Sequence, residues 1–156
     1  MIRLSEEPGS ASLYFHQNAY TAAGDKLLIS VPDGLATVEL RTRAVERVVE
    51  GRAGHVVVGP KSRQVFYMKG DAVFATHLDT KATRMIVQNP VLRSGSGLTV
   101  NATETQLAGS YVEPGAPPSP RGGGLEERWA AHLPMVLYTI DIASGEVKTV
   151  YRSTDW

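Results

Sequence analysis

Few residues in this chain combine the type and the spacing that chemistry needs. The first group is His16, Gln17 and Asn18, inside the run Leu13-Tyr14-Phe15-His16-Gln17-Asn18-Ala19-Tyr20. An imidazole followed by two carboxamides offers donors and acceptors to a polar ligand. The same groups can instead meet channel water or bond to a neighbouring strand. The second group is Arg128 and Trp129, in the segment Leu125-Glu126-Glu127-Arg128-Trp129-Ala130-Ala131-His132-Leu133. A guanidinium pairs with a carboxylate through two parallel hydrogen bonds, and an indole stacks on a flat apolar face. Together they suit a sugar acid. The alternative is that Trp129 and Leu133 pin this segment to the body of the fold and leave His132 exposed. His55 and His77 lie inside β-rich runs and read as structural or solvent-facing.

Several other chemistries lack their residues. The four His are dispersed and show no close His/carboxylate spacing of the kind that holds zinc, so no metal site is expected within this chain. Gly95-Ser96-Gly97 lacks the spacing of a nucleophile elbow. Gly122-Gly123-Gly124 has no preceding strand and no Gly-Lys-Ser/Thr ending, so it reads as linker rather than phosphate loop. There is no Cys, which removes disulfides and thiolate sites.

Charge and hydropathy narrow the partners. Sixteen Lys plus Arg balance sixteen Asp plus Glu, so no net field recruits nucleic acid or an anionic membrane. No apolar run approaches the roughly 18 residues of a membrane-spanning helix. The stretch Met1 to Gly9 lacks the apolar core of a secretory signal. The compartment stays open between cytoplasm and periplasm.

The elements that must position these residues are strands. Short β-rich runs alternate with turn residues at close intervals, as in sandwiches, barrels and propellers. Only 125–133 carries a helical pattern. Internal repeats choose among the architectures. Asp25-Lys26-Leu27-Leu28-Ile29 aligns with Arg63-Gln64-Val65-Phe66-Tyr67 and Thr105-Gln106-Leu107-Ala108-Gly109. A second set aligns Val38-Glu39-Leu40-Arg41-Thr42 with Thr76-His77-Leu78-Asp79-Thr80 and Ile140-Asp141-Ile142-Ala143-Ser144. The first two copies lie 38 residues apart in both sets, and the third follows 42 residues on in the first set and 64 in the second. The difference fits a Pro/Gly-rich insert at 113–133.

A unit near 40 residues with four short strands is a propeller blade. The chain therefore reads as all-β: a partial β-propeller of about three four-stranded antiparallel blades. Blade 1 covers about 12–50, with strands near 13–20, 26–31, 35–40 and 44–49. Blade 2 covers about 52–90, with strands near 54–58, 64–68, 72–78 and 83–87. Blade 3 covers about 95–152, with strands near 97–101, 106–112, 135–142 and 146–151. Propellers close with four to eight blades. Three blades should therefore leave one apolar face open at each end, and the chain reads as part of a longer one. The insert should sit at the channel mouth, on the face where the inner strands enter.

The chain also resembles the N-terminal part of the oligogalacturonate lyases, whose propeller belongs to the TolB-like group. The resemblance is carried by Arg3-Leu4-Ser5, Glu7-Pro8-Gly9, Ser12-Leu13-Tyr14-Phe15, Gln17-Asn18-Ala19-Tyr20-Thr21, Val100-Asn101-Ala102 and Glu104-Thr105. It continues through Glu127-Arg128-Trp129-Ala130-Ala131, Leu133-Pro134-Met135, Tyr138-Thr139-Ile140-Asp141, Gly145-Glu146-Val147-Lys148 and Ser153-Thr154-Asp155-Trp156. It implies a seven-bladed parent that cleaves short, often unsaturated, pectin-derived galacturonides by β-elimination. It also implies manganese, held mainly by His residues of later blades, and a catalytic His beyond residue 156. The expected partners are then the oligogalacturonide and the remaining blades, and this segment alone should be inactive. Two other classes stay open at this point: a non-catalytic TolB-like binding propeller, and a peptidase that carries a propeller gate.

Overall fold

The computed structural model describes residues 3–14, 17–116 and 125–154. They form three four-stranded antiparallel sheets, each in simple chain order. Sheet one holds β1 (Ala11–Ser12), β2 (Lys26–Val31), β3 (Gly34–Glu39) and β4 (Val45–Glu50). Sheet two holds β5 (Gly54–Val58), β6 (Gln64–Lys69), β7 (Ala72–His77) and β8 (Thr83–Gln88). Sheet three holds β9 (Gly95–Val100), β10 (Gln106–Val112), β11 (Met135–Asp141) and β12 (Val147–Ser153). This is three consecutive blades of a β-propeller.

The register reproduces the repeat offsets read from the sequence. Lys26 pairs with Glu39, Gln64 with His77 and Gln106 with Asp141. Each outer hairpin slips once, and always at the same place: after Leu35, Val73 and Leu137. The turn from third to fourth strand also repeats, with Arg43, Lys81 and Gly145 all at positive φ. The last residue of each third strand caps that turn by accepting backbone N–H groups. Glu39 accepts from Thr42, His77 Nδ1 from Asp79 and Thr80, and Asp141 from Ala143 and Ser144. His77 is thus a structural residue, its Nδ1 serving as acceptor. Gly34 meets a different demand. Its φ is +143°, and a Cβ there would collide with the Val49 carbonyl oxygen.

The two central strands of blades 1 and 2 bury both faces, so β2 reads as the largely apolar run KLLISV. Leu28 and Leu35 of blade 1 pack against Val65 and Tyr67 of blade 2. Phe66, Met68, Val73 and Ala75 of blade 2 pack against Leu107, Val136, Tyr138 and Ile140 of blade 3. The expectation of an open apolar face at each end needs one correction. The first face of blade 1, with Leu27, Ile29, Ala36 and Val38, is buried, and Leu4 and Leu13 pack against it. The N-terminal segment is tied down there by an ion pair between Arg47 and Glu7 at 2.6 Å. Among the described residues the open face is that of blade 3, where Leu137 is half-buried and Val150 is exposed.

Charge locks blades 1 and 2 at their rims. The Arg63 guanidinium donates to both oxygens of Asp25, at 2.7 and 2.9 Å, and to both of Asp79, at 2.6 and 3.0 Å. Lys26 reaches Asp79 at 2.7 Å. Arg63, helped by Thr21 at Asp25 and by Lys26 at Asp79, holds both carboxyls well below the ordinary carboxylate range. Folded-state values below the unfolded value of 3.8 mean that this stabilisation is present above that pH and is lost as pH falls through and below it. The cluster is partly exposed, so its worth is small. Replacing Arg63 by Leu should cost about 1 kcal/mol at neutral pH, a fall in Tm of roughly 2–4 °C. Thermal unfolding of the two proteins at pH 7 and near pH 2 checks this. The gap should shrink at the lower pH.

Candidate functional site at the inner edge of the blades

The first strands of the blades converge, with β5 lying beside β9. Each carries an irregularity. Opposite the step from Met68 to Val65, the inner strand runs from Gly54 to Val58 and bulges at His55 and Val56. Opposite the step from Ser110 to Leu107, it runs from Ser96 to Val100 and bulges at Gly97 and Leu98. In both blades four positions face three, an excess of one. His55 and Gly97 both take positive φ, +51° and +68°.

Blade 1 enlarges this feature. Opposite the step from Ser30 to Leu27, the chain runs from Ala11 to Tyr20, nine positions against three. The described residues of the expected strand over 13–20 therefore do not form one. Blade 1 has the two-residue β1, an excursion, and a single bridge at Tyr20. The physical reason is local side-chain bonding that competes with the ladder. Asn18 Oδ1 accepts from Tyr20 N at 3.1 Å, and Gln17 N donates to Tyr14 O at 2.8 Å. Gln17 Oε1 also accepts from Tyr14 N at 3.1 Å, while its Nε2 donates to Val56 O of blade 2 at 3.2 Å.

A cavity of about 700 Å³ lies along this edge, bounded by the blade 1 excursion, β5, and the inner part of blade 3. Gln17, Asn18, Ser96 and Thr99 line it at the inner edge, and Ser110, Leu137, Thr139 and Val150 continue it onto the uncovered face of blade 3. No charged side chain lines it among the described residues. The wall therefore offers hydroxyl and amide hydrogen bonds between apolar patches, the lining of a site for an uncharged polar surface.

The other expected residues fall elsewhere. His16 lies outside the described residues, as does the side chain of Arg128. Trp129 sits on a short helix, α1 (Leu125–Ala130), and is 56% exposed. It does not line the cavity. The helix stops short of the expected Leu133 because His132 takes a positive φ of 43° and Pro134 disfavours a helical Leu133. His132 is exposed. The insert leaves blade 3 where β9 begins: Tyr111 pairs with Gly95, and Ser94 Oγ donates to Val112 O at 2.9 Å. Glu113 N donates to Pro134 O and closes its neck. Among the described residues no three His, Asp or Glu side chains converge as a metal requires. Manganese finds no ligand set among them.

One residue escaped the sequence reading. Tyr138 is buried, and its hydroxyl has no hydrogen-bond partner. The ring crosses Gly109, where a Cβ would lie 2.5 Å from the Tyr138 oxygen. A glycine inside the β10 run was the available signal, since mid-strand glycine marks a close approach. Burial, with Tyr111 alongside, pushes the Tyr138 phenol up to about 12.

The comparisons with known proteins concern this fold. No protein-family model matches the chain, and no curated protein matches it. Solved structures do. The TolB-like class of propeller appears in a protein assigned as TolB from Agrobacterium tumefaciens, 12% identical, covering 96% of this chain and 51% of that one with a TM-score of 0.68. The likeness is greater to the oligogalacturonate lyase of Vibrio parahaemolyticus, 20% identical, covering 99% of this chain and 44% of that one with a TM-score of 0.82. An oligogalacturonate lyase in complex with manganese is likewise 20% identical, covering 95% of this chain and 42% of that one with a TM-score of 0.78. The chain thus spans less than half the length of either lyase, and what it shares with them is the fold.

Removing the Tyr138 hydroxyl should stabilise the protein, because an unpaired buried group carries its full desolvation cost. Tyr138→Phe should gain about 1 kcal/mol at pH 7. The unfolded chain ionises this phenol near 10.0 while the folded chain holds its proton to about 12. Stability present below pH 10 is therefore lost between pH 10 and 12. The phenylalanine variant should lack that share of the alkaline decline, as read by denaturant unfolding across the range.

Proposed function

We propose that this chain forms one wall of an oligogalacturonate lyase, which cleaves short pectin-derived galacturonides by β-elimination. The observation that carries the reading is the fold likeness to two oligogalacturonate lyases along almost the whole chain. The TolB fold is matched less closely. The cavity at the inner edge supports it further: its described lining is mostly apolar with a few hydroxyls and amides and no charge, and a sugar presents hydroxyls and apolar C–H faces to such a lining.

In this reading, Gln17 and Asn18 border the substrate at the inner edge, with His16 beside them. Trp129 and Arg128 serve on the insert, the indole stacking on a sugar ring and the guanidinium pairing with a uronate carboxylate. β-Elimination needs a base for the proton on the carbon next to the carboxylate, and a cation for the enolate-like charge that develops. The described residues supply neither a metal-ligand cluster nor an evident base. The chemical centre then belongs to further blades of the ring, and the substrate lies between them and this wall.

The test compares two proteins. The native full-length gene product should release monomeric products from unsaturated digalacturonate in the presence of manganese. Residues 1–156 alone should show no turnover. Equal rates for the two would place the chemistry within this chain and overturn the division of labour. No turnover by the full-length product would remove the lyase reading.

A further inference from the structure

One position of the repeat does the same job twice. Gln17 of blade 1 and His55 of blade 2 are 38 residues apart, the repeat spacing, and Gly97 of blade 3 follows 42 residues on. Gln17 donates from Nε2 to the carbonyl of Val56, the residue at the blade 2 bulge, at 3.2 Å. His55 accepts at Nδ1 from the N–H of Gly97, the residue at the blade 3 bulge, at 3.0 Å. The polarity of the two bonds is opposite, but each side chain reaches the bulged backbone of the next blade. Bulged backbone has lost its ladder partners. These side chains replace them.

We infer that Gln17 and His55 are positioning residues. They lock the inner-edge bulges of successive blades together and so fix the shape of the cavity wall. This inference rests on the lyase reading and changes one part of it. Gln17 acts on substrate mainly through the wall it holds, because both ends of its carboxamide are engaged with backbone. The wall that Gln17 and His55 hold together carries Asn18 and, through the bond of His55 to Gly97, the Ser96 and Thr99 edge of blade 3. With no charged group among the described residues of that lining, the wall takes the hydroxyl-bearing edge of the saccharide and leaves its carboxylates to face elsewhere. His55 also explains its own strain. A non-glycine residue at φ +51° is uncommon, and here it aims the imidazole at the neighbouring blade.

The experiment uses the native full-length gene product, unsaturated digalacturonate as probe, and the variants Gln17→Ala, His55→Ala and His55→Asn. Asparagine tolerates positive φ, and its Oδ1 stands the same number of bonds from Cα as His Nδ1. Loss of one bridging hydrogen bond should raise KM about tenfold in each alanine variant. kcat should stay within about twofold, since no reacting group is touched. His55→Asn should restore KM to within about threefold of wild type, a rescue that a bulk packing role would not give. Amide hydrogen exchange at Gly97 should speed up in His55→Ala and recover in His55→Asn. An active wild type whose alanine variants keep its KM overturns the inference alone, as does a Gly97 amide whose exchange is unchanged. A wild type that neither binds nor cleaves the probe overturns the lyase reading and this inference with it.

Discussion

The structure depends on the need to bury both faces of every sheet. In blades 1 and 2 the two central strands are buried on both sides, so each face needs a cover, either a neighbouring blade or, for the first face of blade 1, the N-terminal Leu4 and Leu13. Leu28 and Leu35 meet Val65 and Tyr67 across one junction, and Phe66 and Val73 meet Leu107 and Tyr138 across the next. Leu28, Leu35 and Val65 recur as Phe66, Val73 and Leu107, whereas the place of Tyr67 is taken by Gly109 and filled by Tyr138, at the position of Phe74. This face-to-face packing sets the fan of the blades, and the fan brings the first strands together at the inner edge. The uncovered side of blade 3 shows the constraint unmet. Its Ser110, Leu137 and Thr139 match Ser30, Leu35 and Thr37, the residues with which blade 1 faces blade 2.

Convergence at the inner edge has a cost in regularity. Three inner strands cannot stay straight and evenly paired while their sheets twist, and each one bulges. The bulge frees backbone groups, which neighbouring side chains then take up. Blade 1 exaggerates the device and turns one extra residue into six. Thus the feature that relieves strain in blades 2 and 3 becomes in blade 1 a polar excursion that borders a cavity. Tyr14, 62% exposed, and Tyr20 sit on or beside it.

The blades were legible in the sequence because the repeat is a packing repeat. Turn residues, apolar runs and the offsets of 38, 42 and 64 all follow from identical strand registers. The inner edge was less legible. The run from Leu13 to Tyr20 has the aromatic content of a strand, and propensity alone cannot show that Asn18 and Gln17 will bond to local backbone instead. The cavity lining was hidden for another reason. Ser96, Thr99, Ser110 and Thr139 are ordinary strand residues, and only the position of their strands gives them a shared space. His55 and His77 were readable as structural, and each does serve as an acceptor for backbone N–H groups. The two expected halves of the site, Gln17 with Asn18 and Arg128 with Trp129, were read as separate groups. The structure keeps Trp129 out of the cavity that Gln17 and Asn18 line.

The most direct measurement is a crystal structure of the native full-length gene product with unsaturated digalacturonate bound. The sugar should lie in the central channel, its hydroxyl edge against Asn18 and the inner edge of blade 3, with Gln17 still bonded to Val56. A sugar bound away from this edge, or against it through its carboxylates, would contradict the proposed role of this wall.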